Sequence, residues 1–429
     1  VTIQESTLPN GLRIITAHMA EARSLTAQIF VGVGSRQEDF HVNGGVAHFL
    51  EHLLFKGTKK YPTAQLISEA VDAVGGYNNA YTSEEMTTYF IKLPSAHGKL
   101  ALNILCDMMT SPLLDADEIE RERGVIVEEM NVYRDDPARF VGTMIPELVF
   151  PNHPLGRDII GTEAVINSVP RETIKDFFET HYVANNMVVS VAGRVDHDAV
   201  VAQITELLGE MKRNDQPALE PVPSELSSDL AIVQDKDTAQ AHFLISSKAY
   251  SYTDPKIAAA RVASGILGRG MSSRLFSNVR ERQGLAYSIF SDVSNFVDTG
   301  IFSVYAGVNL DKIDLAVSSI LHELKSVATE KVSAAELDKA KQQLIAGMEM
   351  SQESNSNIAD ALGTQIILLG KYKPVDERIA EIKAVTAEEV QAVAVEMLAP
   401  EGLRFALIGP NPEAAASHFK EAVAEYKSH

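Results

Sequence analysis

The sequence predicts an α+β fold built from two related domains, and three observations carry that prediction. Strand-like and helix-like runs intermix along the 429 residues. Several strand-like runs follow one another directly, so antiparallel or mixed sheets are expected. A polar stretch at 212–228, with three prolines, divides the chain into halves of similar length. The halves also share a pattern. Ala47-His48-Phe49-Leu50-Glu51-His52-Leu53-Leu54-Phe55-Lys56-Gly57 aligns with Ala260-Arg261-Val262-Ala263-Ser264-Gly265-Ile266-Leu267-Gly268-Arg269-Gly270. Asp115-Ala116-Asp117-Glu118-Ile119 aligns with Ser333-Ala334-Ala335-Glu336-Leu337. The offsets are 213 and 218, so order is kept with a small insertion. The domains are therefore set at 1–211 and 229–429, joined by a linker at 212–228. Each is expected to be a mostly antiparallel or mixed sheet packed with helices.

The elements follow in order. Residues 25–33, 87–93 and 187–192 are rich in β-branched and aromatic residues and predict strands. Residues 64–74, 100–109 and 171–180 predict helices, the last with Pro170 at or just before its first turn. At 115–134, Asp115 is a candidate N-cap, and Ile119, Val125, Ile126 and Met130 recur at near-helical spacing. On that helix Glu122 and Glu129 are seven apart and share a face. Glu128 lies about 100° round from Glu129.

The pentad His48-Phe49-Leu50-Glu51-His52 carries the chemistry. On a helix, positions i, i+3 and i+4 share one face. Both imidazoles can then bind one metal while Glu51 reaches a water on it. The competing reading is an amphipathic helix whose histidines are surface or satisfied core residues. The flanks, Gly44-Gly45-Val46-Ala47 and Leu53-Leu54-Phe55, are small and apolar, which predicts a largely buried helix. Buried imidazoles and a buried carboxylate need partners, and a metal supplies one. A catalytic zinc site has three protein ligands and an open position, so a third ligand is sought on another helix. The acidic helix at 115–134 is the candidate. Its alternative is a solvated acidic face.

His48, Glu51, His52 and a glutamate 77 residues beyond His52 resemble the inverted-motif zinc peptidases of the pitrilysin/insulinase family. That group includes the mitochondrial processing peptidases, their bacterial homologues and insulin-degrading enzyme. Glu122 to Glu129 resembles the family's third-ligand helix. The resemblance implies ligands His48, His52 and Glu129, with Glu122 behind them, and leaves Glu128 as the rival of Glu129. It also implies Glu51 as general base. Leu8-Pro9-Asn10-Gly11-Leu12-Arg13 and Gly32-Val33-Gly34-Ser35-Arg36-Gln37-Glu38 resemble the family's first strands. Gly75-Gly76-Tyr77-Asn78-Asn79-Ala80-Tyr81-Thr82-Ser83 resembles its substrate-binding edge strand, which implies that Asn79, Ala80 and Tyr81 meet an extended peptide. His153-Pro154-Leu155-Gly156 and Gly161 resemble a later signature loop.

Arg280 and Tyr287 resemble the family's arginine–tyrosine pair, which supports substrate in catalysis. A guanidinium and a phenol suit a peptide carbonyl and its developing oxyanion. Whether they act in cis or in trans stays open. The implied fold is of the LuxS/metallopeptidase-like type, and the chain would form half of a chambered dimer. The second copy carries Arg261, Ser264 and Gly265 in place of His48, Glu51 and His52, and its third-ligand position falls near Gly347. One zinc per chain follows. The expected activity is zinc-dependent endopeptidase cleavage of peptides or unfolded segments inside a closed chamber. The alternatives are a presequence-processing subunit with a heterologous partner, a non-catalytic structural subunit, or a hydrolase of non-peptide amides.

Composition bounds the partners. The net charge is −20, which argues against nucleic acid and is compatible with basic peptides. A homodimer is expected, with a heterodimer as the alternative. The single cysteine, Cys106, lies in an apolar run and is expected to be a buried hydrophobe, so no disulfide framework exists. No run of 18 apolar residues predicts a membrane span. The opening residues are neither a signal nor a transit peptide, which points to a bacterial cytoplasm, with the mitochondrial matrix or periplasm as alternatives.

Overall fold

The computed structural model describes residues 1–427. The first half runs β1 (Thr2–Thr7), β2 (Arg13–His18), β3 (Ser24–Val31), α1 (Val46–Leu54), α2 (Ala64–Asp72), β4 (Tyr77–Thr82), β5 (Thr87–Pro94) and α3 (Gly98–Thr110). It continues with α4 (Ala116–Asp135), α5 (Pro137–Val149), α6 (Glu163–Ser168), α7 (Arg171–His181), β6 (Met187–Gly193) and α8 (His197–Leu208). The second half runs β7 (Ala231–Asp235), β8 (Ala241–Ala249), α9 (Ile257–Gly268), β9 (Ala286–Asn295), β10 (Gly300–Val308) and α10 (Ile313–Thr329). It ends with α11 (Ala334–Ser351), α12 (Asn355–Leu369), α13 (Val375–Ala384), α14 (Ala387–Met397), β11 (Arg404–Gly409) and α15 (Glu413–Lys427).

Two mixed sheets organise these elements. The first has the order β1-β2-β6-β3-β5-β4, and the second β7-β11-β8-β10-β9. In the first, only β2 and β6 are parallel. In the second, only β7 and β11 are. From β2 onward the two orders correspond strand for strand, so the weak internal repeat in the sequence has a topological counterpart. The fold is the expected α+β, two-domain one.

The compact units differ from the halves set by the linker. One comprises Val1–Met130, Arg157–Leu219 and Met350–Lys373. The other comprises Asn131–Gly156, Glu220–Glu349 and Pro374–His429, of which the structure describes residues up to 427. Residues 212–228 hold neither helix nor strand. Each sheet thus takes a helix from the other half of the chain. In the first unit α12 places Ile358, Ala359, Leu362 and Ile366 against Ile15, Phe30 and Val188. In the second unit α5 places Val141, Ile145 and Val149 against Leu244, Ala406 and Ile408. The physical cause is that both faces of each sheet are apolar and both need cover. The approach of α12 is close. A Cβ on Gly363 would overlap the Phe30 ring, so only glycine fits there.

Several local expectations change. Leu8 to Leu12 is the turn between β1 and β2 rather than a strand, closed by Gly11 N–H donating to the Leu8 carbonyl at 2.8 Å. The stretch 32–38 leaves β3 and makes one tight helical turn at Ser35–Gln37. Val125 is 49% exposed and lies off the buried stripe of α4, which Ile119, Ile126 and Met130 form. Asp115 does cap α4, accepting from the Asp117 and Glu118 N–H groups at 2.9 and 3.2 Å. Cys106 is buried, and burial raises its thiol pKa, as a small hydrophobe in a core would show. No helix among the described residues is long and apolar enough to cross a membrane.

Candidate metal centre

The pentad folds as α1 because its flanks let it. Val46, Ala47, Phe49, Leu50, Leu53 and Leu54 are all buried, which leaves His48, Glu51 and His52 on the remaining face. The start of α1 is held by Glu38, whose carboxylate accepts from the Gly45 N–H at 2.7 Å and the Ala47 N–H at 2.6 Å. Burial still raises the Glu38 pKa to about 8.

The α4 helix supplies the other side. His48, His52 and Glu129 each offer one ligand atom, all within 4.8 Å of one another. Glu129 Oε2 lies 3.7 Å from His48 Nε2 and 3.4 Å from His52 Nε2. Glu128, the rival position, is exposed and is not part of this cluster. Glu122 is buried one face-repeat earlier and accepts from His52 Nδ1–H at 2.8 Å. That bond holds the His52 ring with Nδ1–H toward Glu122 and Nε2 toward Glu129, so Nε2 is the atom free to take a metal once it gives up its proton. His48 Nδ1 has no such partner among the described residues.

The electrostatics follow from these contacts. Burial alone would lower the His52 pKa, but hydrogen bonds to Glu122 and Glu129 overcome it and raise the pKa. Burial, then the charge of His52, lowers that of His48. The Glu129 pKa is lowered, chiefly by its hydrogen bond to His52. Two imidazoles and a carboxylate converging on one point suit a zinc ion, so the residues present fit the group. Glu51 is different. Burial raises its pKa, opposed by a hydrogen bond from Thr82, whose hydroxyl donates to Glu51 Oε2 at 2.6 Å. A carboxylate raised in this way is suited to accept a proton.

Two neighbours of the centre had no role in the sequence reading. Lys56, in the turn that ends α1, places Nζ 2.6 Å from Glu122 Oε2. The signal was available, since positions 48, 52 and 56 are successive i+4 steps. Thr82 lies within the quoted edge-strand stretch, but its bond to Glu51 depends on how β4 meets α1. The strand β4 is the end strand of its sheet and pairs with β5 through Asn79↔Phe90, Ala80↔Tyr89 and Tyr81↔Thr88. The Tyr81 hydroxyl donates to Asp360 Oδ1 of α12 at 2.6 Å.

The remaining predicted residues lie elsewhere. His153 is buried and structural: its Nε2–H donates to the Glu220 carbonyl at 3.1 Å, and Nδ1 accepts from the Leu155 N–H at 3.2 Å. Arg280 and Tyr287 belong to the second unit. The guanidinium lies 4.5 Å from the Phe276 ring centroid and 5.5 Å from that of Tyr287. Tyr287 is 74% exposed.

Comparison with known proteins gives first the class and then the family. An uncharacterized zinc protease of Streptomyces coelicolor is 36% identical over 99% of this chain and 93% of its own length. A probable mitochondrial-processing peptidase subunit beta of Arabidopsis thaliana is 33% identical over 94% of this chain and 78% of its own. A solved structure of a protease from Helicobacter pylori has a TM-score of 0.87 at 25% identity, covering 95% of this chain and 99% of that one. These relatives place the chain among metallopeptidases, in the processing-peptidase-like branch. The insulinase profile (peptidase family M16) matches residues 13–163, and that of the peptidase M16 inactive domain matches residues 168–344. The chain belongs to peptidase family M16, the pitrilysin/insulinase family.

Proposed function

We propose that this chain is a zinc-dependent endopeptidase, with one zinc held by His48, His52 and Glu129. The observation that carries the reading is the convergence of those three side chains beside a Glu51 whose pKa is raised and whose carboxylate is fixed by Thr82. When bound, zinc supplies a Lewis acid that acidifies water and polarises a carbonyl. Glu51 takes the proton of the attacking water and passes it to the leaving amine. Glu122 orients His52, and Lys56 holds Glu122. Asn79, Ala80 and Tyr81 lie on an edge strand that an extended peptide can join. The Ala80 N–H now donates to its neighbour's Asn79 Oδ1 at 2.9 Å, a bond that a peptide carbonyl can replace. Arg280 and Tyr287 steady the substrate and its oxyanion, an assignment that rests on the family resemblance and on their mutual stacking.

The assembly we propose is a homodimer enclosing a chamber that admits peptides or unfolded segments. The support is that one chain carries both the metal motif and the arginine–tyrosine pair. A native mass distinguishes it from a heterodimer. Likeness to a processing-peptidase beta subunit favours a second reading, a presequence-type processing subunit needing a different partner chain. Retention of His48, Glu51, His52 and Glu129 weighs against a purely structural subunit.

The test is hydrolysis of an internally quenched basic peptide by wild type and Glu51→Gln, with metal content measured in both. Cleavage by wild type alone, with zinc in both, supports the peptidase reading. Zinc in both and cleavage by neither shifts support to the processing subunit. No metal in either refutes the ligand assignment.

A further inference from the structure

The second unit carries a cleft at the position that corresponds to the metal centre in the repeat. It encloses about 160 Å³ and is lined from α9 by Arg261, Ser264 and Gly265, from the end of α9 by Arg269, from β9 by Ser291 and Asp292, and from α11 by Leu344. Its chemistry is the reverse of the first unit's. Imidazoles and carboxylates accept a cation there. Here guanidiniums offer donors. We propose that this cleft binds a small oxyanion, of phosphate or carboxylate chemistry, through Arg261 and Arg269.

Arg261 donates from Nη2 to Asn295 Oδ1 at 2.8 Å. Neither it nor Arg269 is in ion-pair contact with a carboxylate among the described residues, so both keep donors for a ligand. Arg378 adds a third positive charge near Arg261, while Glu381 and Asp292 act on Arg261 in the opposite sense. Asp292 is exposed at the rim and accepts from the Ser294 hydroxyl at 3.4 Å. The Ser291 hydroxyl donates to the Ser264 carbonyl at 2.8 Å and lies 3.2 Å from Ser264 Oγ. The Ser264 hydroxyl therefore donates to Ser291 Oγ, both serine protons are used within the pair, and the donors open to a ligand are those of the guanidiniums.

Glycines keep the cleft open. A Cβ at Gly268 would collide with the Ser291 backbone nitrogen, so glycine there lets α9 lie against β9. A Cβ at Gly347, near the lost third-ligand position, would come 3.2 Å from Arg269 Nη2. Removing that side chain gives the guanidinium its room. The space suits one small anion with its waters, and planar forked donors suit an oxyanion's geometry.

The experiment titrates the purified full chain with inorganic phosphate by calorimetry, with chloride holding ionic strength constant, and repeats it with acetate. Saturable binding of either is expected, and which one binds tells phosphate from carboxylate chemistry. An Arg261→Gln/Arg269→Gln chain should bind about tenfold or more weakly, since charge-assisted donors are lost. Asp292→Asn, which changes only an exposed rim group, should tighten binding several-fold. If the double variant fails to fold, Asp292→Asn decides. No saturable binding of either anion, a folded double variant that binds as wild type does, or an Asp292→Asn chain with unchanged affinity overturns the proposal.

Discussion

Replacing Glu122 by glutamine should weaken zinc binding without touching a ligand. Glu122 is 3% exposed and touches the centre only through His52 Nδ1–H at 2.8 Å. Its other oxygen holds Lys56 Nζ at 2.6 Å. Glutamine keeps the shape and one acceptor oxygen but removes the charge. A hydrogen bond to a charged group is worth roughly twice a neutral one, so the loss should be on the order of 1.4 kcal/mol, about tenfold in affinity. Changes to such supporting groups fall at about 10- to 100-fold, and the retained acceptor puts this one at the low end. Competition with a chromophoric chelator at neutral pH reads the zinc dissociation constant directly. Glu128→Gln, at an exposed position of the same helix, is the control and should bind as wild type does. Wild-type affinity in Glu122→Gln, or an equal loss in Glu128→Gln, would refute the register assigned to α4.

Other outcomes follow from separate contacts. Thr82→Val removes the 2.6 Å bond to Glu51 and should lower kcat about tenfold with little change in KM, while Thr82→Ser restores it; an unaltered kcat in the valine variant sinks the positioning role. Gly363→Ala drives a methyl into the Phe30 ring and should cost about 1–3 kcal/mol of stability, read as a lower Tm. An unchanged Tm would mean that α12 does not pack so closely. Hydrogen bonds from Arg274 hold the Glu336 pKa down to about 2, well below the ordinary carboxylate value of 4.5. The stability from that pair is therefore full above about 4.5 and lost as the pH falls toward 2. The pair is partly solvated, so Arg274→Gln should cost only about 1 kcal/mol at neutral pH, with the gap to wild type closing in acid; a gap independent of pH contradicts this. Residues 1–211 expressed alone lack α12 and should expose Ile15, Phe30 and Val188, bind a hydrophobic dye and aggregate. A monomeric, dye-silent fragment would show that the sheet face needs no cover.

Much of the fold was legible because strand and helix periods are local properties of the chain. The α2, α3 and α7 spans agree with expectation to within about two residues at either end. The repeat was legible too, although only as two short matches. What misled was sequence that looks extended yet turns. In 8–12 the turn is local, with Pro9-Asn10-Gly11 supplying turn residues and Gly11 at positive φ, whereas in 32–38 the backbone is held by another segment, Ser35 and Arg36 N–H donating to the Ser83 and Glu84 carbonyls. Val125 shows the same limit on α4, where an apolar residue sits one position off the stripe and stays exposed.

The sequence by itself determined the pentad's geometry, since the hydrogen-bonded pitch of a helix puts residues three and four apart on one face wherever that helix lies. For the same reason it placed Glu122 and Glu129 together. Only the tertiary structure brought α4 to α1, put Thr82 on Glu51 and Lys56 on Glu122, and exchanged α5 and α12 between the sheets. Those are pairings between segments tens to hundreds of residues apart. They are set by which apolar face finds cover and which buried polar atom finds a partner, and no spacing along the chain records that choice.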